Sequence, residues 1–438
     1  MRIAVRALMV AAASLALASG CGEKPPQPPG AADAGNGGSV DAGTDAGADA
    51  GPAVTWYRDV LPLVQQHCQS CHVEGGIASF PLTSYENAFQ RHELIAQQVS
   101  TGAMPPWMPD DEGCTPLQDS RRLTADEIAI FEAWDQLGAP AGDTKDAPPP
   151  PEQQVGLPWV DATLDIGVDY TPNQATSDDY RCFIVPPQFQ TITDVIGFEL
   201  IPGEPQEVHH AILFDVPMTD AQALDDAEPG PGWTCYGGPG VDQSQVVMVG
   251  GWVPGNGAIT FPENTGIRIL PGHVLVMQIH YNLANGAQPD RSSVKLQFAK
   301  SPVAKPARIF PVATGTFAIP PHAMGYSASA RFSLEGVGAP SFITKATVYG
   351  TTPHMHLLGR SITARMLGTN GADDTCLINV PKWDFNWQQS YKFTTPVVVG
   401  RTDEIEVTCT WDNPTDRTVT WGEGTSDEMC VVFFYVTL

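Results

Sequence analysis

From about residue 157 onward, apolar and polar residues alternate in short runs broken by Gly and Pro. Val274-Leu-Val-Met-Gln-Ile-His280-Tyr281 and Met429-Cys-Val-Val-Phe-Phe-Tyr435 read as strands, because a period of two sends successive side chains to opposite faces. No long helical period appears there. The stretch predicts two all-β, jelly-roll-like sandwiches, over 157–307 and 308–438. The rhythm of residues 55–141 is different. Thr124-Ala-Asp-Glu127 is a capping box, Ile128, Phe131 and Trp134 follow on one helical face, and Gly138 stops the helix. A small all-α unit is expected here, joined to the strands by a stiff linker over 142–156 that contains Pro148 to Pro151.

The beginning of the chain has no core-forming pattern. Arg2 and Arg6 precede an apolar run, Ala7 to Ala18, which is shorter than the ~20 residues that span a bilayer, so residues 1–20 read as an export signal. Ala18-Ser19-Gly20-Cys21 resembles a bacterial lipobox with Cys21 as the lipid acceptor, although Leu17 lies one place early. Gly22 after it resembles the outer-membrane sorting pattern. These features predict a lipid-anchored protein of the bacterial cell envelope. Residues 21–54 repeat Asp-Ala-Gly with Pro and cannot bury a core, so they are expected to be a disordered tether.

A net charge of −26 excludes nucleic acid and anionic lipid as charge-driven partners. It is otherwise the solubility of an exported chain. Of nine cysteines, Cys21 is assigned to lipid and two to the motif below. The remaining six are Cys114, Cys182, Cys235, Cys376, Cys409 and Cys430, expected as disulfides in an oxidising compartment.

Cys68-Gln-Ser-Cys71-His72 is a C-x-x-C-H run, which attaches haem c through two thioethers and offers His72 as an axial ligand. A thioredoxin-like pair would need a βαβ context that this stretch lacks. The sixth ligand is expected from Met104-Pro105-Pro106-Trp107-Met108, with Met104 preferred over Met108, since a thioether stabilises reduced iron. The Met-Pro-Pro-Trp run resembles small bacterial cytochrome c domains, so residues 55–141 are expected to be one. His67 and His92 are expected on the surface.

Two more ligand sets lie in the strand-rich part. His354 and His356 are two apart, so on a strand both rings project from one face, and Met429 opens a distant strand. A His₂Met set favours Cu(I) over Zn²⁺. In the strand around His280 the apolar face carries Leu275, Met277, Ile279 and Tyr281, which leaves Gln278 and His280 pointing outward or into a cleft. Adjacent His209 and His210 can share one metal with it only at a strand end or bulge. Core histidines and a core methionine remain the alternative for each set taken alone.

Glu207-Val-His-His-Ala-Ile-Leu-Phe214, Leu275-Val-Met-Gln-Ile-His-Tyr281, His354-Met-His-Leu-Leu-Gly359 and Thr425-Ser-Asp-Glu-Met-Cys430 resemble, in order, the copper type II ascorbate-dependent monooxygenases. That family includes the peptidylglycine α-hydroxylating and dopamine β-monooxygenases. The resemblance covers about 157–438 and implies two sandwiches facing each other across an open, solvated cleft. It implies an electron-storing copper on His209, His210 and His280, and an O₂-activating copper on His354, His356 and Met429. It also implies a Cys409–Cys430 disulfide; Cys182–Cys235 is a looser pairing, and Cys114 and Cys376 have no assigned partner. Where peptide-amidating members carry an Arg, an Asn and a Tyr that grip the peptide, this chain has Thr352, Val431 and Phe433. By alternation Val431 and Phe433 share a face with Met429, so the substrate pocket is expected to be apolar.

The reading is a dicopper monooxygenase that hydroxylates a C–H bond of a small apolar or aromatic substrate with O₂. The haem is expected to feed the coppers with His280 as relay, and an external reductant, ascorbate-like or a partner redox protein in the periplasm, to supply the electrons. The alternatives are an electron-transfer or copper-binding lipoprotein without hydroxylase turnover, and a haem domain that only docks a partner cytochrome.

Overall fold

A computed structural model describes residues 53–438 apart from 75–77, 111, 151–155, 254–255, 284–285 and 369–373. The export signal, the lipid acceptor Cys21 and nearly all of the tether fall outside the described residues. Among the described residues no helix is long and apolar enough to cross a membrane.

The first elements are helical. Leu61–His67, His92–Ser100 and Ala125–Gln136 pack around Trp56, Val64, Phe131 and Trp134, none more than 1% exposed. The capping box forms as expected: the Glu127 N–H donates to Thr124 Oγ1 at 3.3 Å, and the Thr124 N–H donates to the Glu127 carboxylate at 2.7 Å. His67 corrects an expectation. It is 5% exposed, with Nε2 3.5 Å from Glu127, because the end of its helix is covered by the first turn of the capped helix.

The rest is β-structure, as the alternation requires. A five-stranded sheet runs in the order Trp233–Thr234, Asp178–Val185, His273–Asn282, Val208–Pro217, Val247–Trp252. A four-stranded sheet runs Tyr326–Phe332, Glu404–Trp411, Gly359–Leu367, Thr375–Val380. Phe183, Phe198, Leu213, Met277 and Tyr281 fill one core; Ile362, Val407, Trp411, Val432 and Phe434 fill the other.

The two sandwiches share a sheet instead of standing apart. Strand Lys305–Ala313 pairs in parallel with Thr265–Ile269 and antiparallel with Val431–Thr437. One nine-stranded sheet among the described residues therefore backs both cores. The Tyr435 and Thr265 hydroxyls, 2.9 Å apart, reinforce this seam.

Among the described residues three disulfides form: Cys182–Cys235, Cys409–Cys430 and Cys114–Cys376. The third ties the segment before the capped helix to the second sandwich. Backbone pairing extends that attachment. The N–H groups of Asp110, Thr115 and Gln118 donate to Asn379, Cys376 and Lys392 carbonyls at 2.7, 2.9 and 2.7 Å, and the Thr394 N–H donates to Pro116 at 2.9 Å.

Candidate metal centre

Strand Val208–Pro217 pairs with His273–Asn282 so that His210 faces His280, and the register slips between Val208 and His210. The slip is the bulge that adjacent histidines need to reach one point. One ligand atom from each of His209, His210 and His280 lies within 4.8 Å of the others. His280 is 2% exposed and stacks on Tyr180 at 4.1 Å, so it points into a buried cleft. Its Nε2–H donates to Asp178 at 2.8 Å, and its Nδ1 faces His210 Nδ1 at 3.4 Å. The buried Nδ1 of His209 has no hydrogen-bond partner. Three imidazoles converging on one point, one of them with an unpartnered buried nitrogen, fit a metal ion. Burial first, then His280, pushes His209 down to about 4 and His210 well below the ordinary imidazole value, which keeps both neutral.

The second set departs from its expected backbone. The strand ends at His354 and the next begins at Val431, so His356 and Met429 lie just beyond strand ends. The last pair of the ladder is His354 with Val431, so His356 and Met429 each lie two residues beyond it on the same end of the two strands. The two imidazole centroids are 5.1 Å apart, and Met429 is 7% exposed. His354 Nδ1–H donates to Gln388 at 2.5 Å and His356 Nδ1–H to the Asp427 carbonyl at 3.1 Å. Burial, then His356, pushes His354 down to about 3.

Sequence reasoning missed Glu428, which holds this turn together. Its carboxylate accepts from the backbone of His356 at 3.0 Å, the backbone of Leu358 at 2.5 Å and Trp411 Nε1 at 2.9 Å. Burial pushes it up to about 7 even so. The signal was an acidic residue immediately before an apolar strand.

An open, solvated cleft between the sets is not what the structure shows. Phe385 stacks on His209 at 5.1 Å and meets His356 at 6.0 Å, which holds the two imidazoles within about 11 Å of each other. Thr425 Oγ1–H donates to Asp178 at 3.1 Å, and Tyr180 O–H donates to the Glu423 carbonyl at 2.6 Å. The Asp178 that orients His280 is thus also a latch between the sandwiches. No local pattern marked Asp178, Tyr180 or Phe385.

Val432, Phe434 and Val436 point into the second core, so Val431 and Phe433 take the opposite face, where Tyr435 stacks on Phe261 of the first sandwich at 4.8 Å. Thr352 lies across from Phe433, its hydroxyl 2.7 Å from that of Ser390. In the helical part Cys68 and Cys71 are free thiols, and His72 Nδ1–H donates to the Phe80 carbonyl at 2.9 Å, which leaves Nε2 available. The Met108 thioether accepts from the Asp384 N–H at 3.2 Å, whereas Met104 is half-buried in the same loop.

Two β-sandwiches sharing a sheet, with clustered histidines at their seam, form a candidate metal centre. Residues 308–437 match the family described as copper type II ascorbate-dependent monooxygenase, C-terminal domain. The chain is 26% identical over 273 residues to DBH-like monooxygenase protein 2 of Mus musculus, covering 58% of this chain and 42% of that protein. It is 28% identical over 216 residues to putative DBH-like monooxygenase protein 2 of Homo sapiens, covering 46% and 42%. The matched stretch is less than half the length of either relative. These similarities are to the copper type II monooxygenase family, and the family match falls on the second sandwich alone. A solved structure of peptide:N-glycanase F is similar at a TM-score of 0.28 and 11% identity, over 63% of this chain and 95% of that one.

Proposed function

We propose that this chain is a copper-dependent monooxygenase that hydroxylates a C–H bond of a small apolar or aromatic substrate with O₂. His209, His210 and His280 would hold one copper, and His354, His356 and Met429 the other. The observation that carries the reading is the convergence of the first three imidazoles, with the second set facing them across Phe385. Copper at these sites supplies one-electron redox steps and O₂ activation.

The chain's own groups do the rest. Asp178, Gln388 and the Asp427 carbonyl each accept one ring N–H, which fixes the tautomer and would leave the other nitrogen to hold the metal. Phe385 fills space between the sets. Val431 and Phe433 offer the substrate an apolar wall, and Thr352 turns its hydroxyl to Ser390, so these three positions bring no charge to a carboxylate.

Cys68, Cys71 and His72 are proposed to carry haem c, with Met104 as sixth ligand because the Met108 sulfur is already engaged. The hydrogen bond from His72 Nδ1 to Phe80 supports this, since it presents Nε2 to iron. The haem is proposed to deliver electrons from an external reductant, ascorbate-like or a partner redox protein, in a protein anchored to the bacterial cell envelope through Cys21.

Metal analysis should find one covalent haem and two coppers per chain. Met429→Ile should keep one copper tightly bound and abolish hydroxylation. Normal hydroxylation by that variant would overturn the assignment of the oxygen site. Substrate-dependent O₂ uptake separates this reading from a copper-binding or electron-transfer lipoprotein.

A further inference from the structure

The loop that carries Met104 is not free to swing on its linker. Trp107 packs edge-on against Tyr391 at 5.2 Å, Gln389 Nε2–H donates to the Pro106 carbonyl at 3.5 Å, and the Asp384 N–H donates to Met108 Sδ at 3.2 Å. The Cys114–Cys376 disulfide and the backbone pairing of 110–118 fasten the next part of the chain to the same sandwich. All these contacts fall on segment 375–394. The inner side of its 384–391 stretch carries Gln388, bonded to His354, and Phe385, against His209 and His356.

We infer that segment Asp384–Tyr391 is an electron bridge from the haem to the His354/His356/Met429 copper, so that electrons enter at the oxygen site directly and not through His280. This rests on the haem and copper occupancy proposed above. One bonded route leaves Met104, crosses from the Pro106 carbonyl to Gln389, passes to Gln388, and reaches His354 Nδ1. It contains two hydrogen bonds and no residue of the His209/His210/His280 set. The step moves one electron: ferrous haem becomes ferric, cupric ion at His354/His356/Met429 becomes cuprous, and no bond to carbon changes. A one-electron reductant then restores the haem. The expectation of a His280 relay had no information about where the haem loop docks.

The test uses the full chain with ferric haem and cupric ions bound, free copper removed, and no O₂. A sub-stoichiometric pulse of one-electron reductant reduces the haem, and its visible band is followed as the electron moves on. Loss of the Cu(II) electron paramagnetic resonance signal identifies the acceptor. Wild-type protein should show concentration-independent decay of the ferrous band. His280→Ala should keep that decay, and His354→Ala should lose it while its remaining copper signal reports an intact first sandwich. Decay kept in His354→Ala, or lost in His280→Ala with copper still at His354/His356/Met429, overturns the inference. Absence of a covalent haem band or of bound copper in wild-type protein instead sinks the reading beneath it.

Discussion

Glu428→Gln is a demanding test of how the second ligand set is held. The substitution preserves shape, but an amide offers one acceptor oxygen where the carboxylate has two. In the best orientation the oxygen keeps the His356 N–H and Trp411 Nε1–H, and the new NH₂ group then faces the Leu358 N–H. The Leu358 N–H loses its acceptor and the new NH₂ group faces a donor instead of an acceptor, at about 1–3 kcal/mol each. They share one site, so the sum is not strictly additive, and the loss should be roughly 2–5 kcal/mol. At ~2–4 °C per kcal/mol for units of this size, the apo protein should melt some 5–15 °C earlier. The ligand turn depends on the same bonds, so copper at His354/His356/Met429 should bind about 10–100-fold more weakly, with the His209/His210/His280 copper unchanged. Calorimetry and copper titration followed by spectroscopy read the two effects separately. A variant that melts with the wild type and holds both coppers equally well would refute the view that Glu428 organises the turn.

Glycine-extended peptides should be poor substrates beside small aromatic or alkyl compounds, and efficient amidation of a peptidyl-glycine would contradict the apolar wall of Val431 and Phe433. Among the apolar compounds discrimination should be shallow, about 1–3 kcal/mol per methylene, so competition assays should find several turned over. Stability should carry a pH dependence from Asp215, which is fully buried beside a cavity shared with His273, Arg268 and Arg308. Burial pushes its carboxyl up to about 6, against the opposing pull of His273 and Arg308. A raised folded pKa means the folded state holds the proton more tightly. The contribution is therefore full below the unfolded value near 4 and is lost as pH rises through about 6, by on the order of 3 kcal/mol. Asp215→Asn should flatten that slope in urea unfolding between pH 4 and 7, and parallel curves for variant and wild type would contradict the attribution.

What the chain declares by itself is local. Period-two runs announce sandwiches because alternate side chains of a strand must meet opposite surroundings. Thr124 and Glu127 announce a helix start because their bonds close within three residues. The ligand sets are legible for the same reason: His209-His210, His354-Met-His356 and Cys68-x-x-Cys71-His72 carry their chemistry in adjacent side chains, and the demand for a bulge at His209 follows from strand geometry alone. Tertiary structure decided whatever depends on which distant segments meet. Asp178 reaches His280 and Thr425 across 102 and 247 residues, and Cys114 finds Cys376 across 262. No local pattern encodes those separations. The same holds for the shared sheet, set by strand Lys305–Ala313 pairing on both sides, and for Phe385, which closes the gap expected to be open. His67 shows the limit most simply: a histidine at a helix end reads as exposed until the N-terminus of another helix is packed over it.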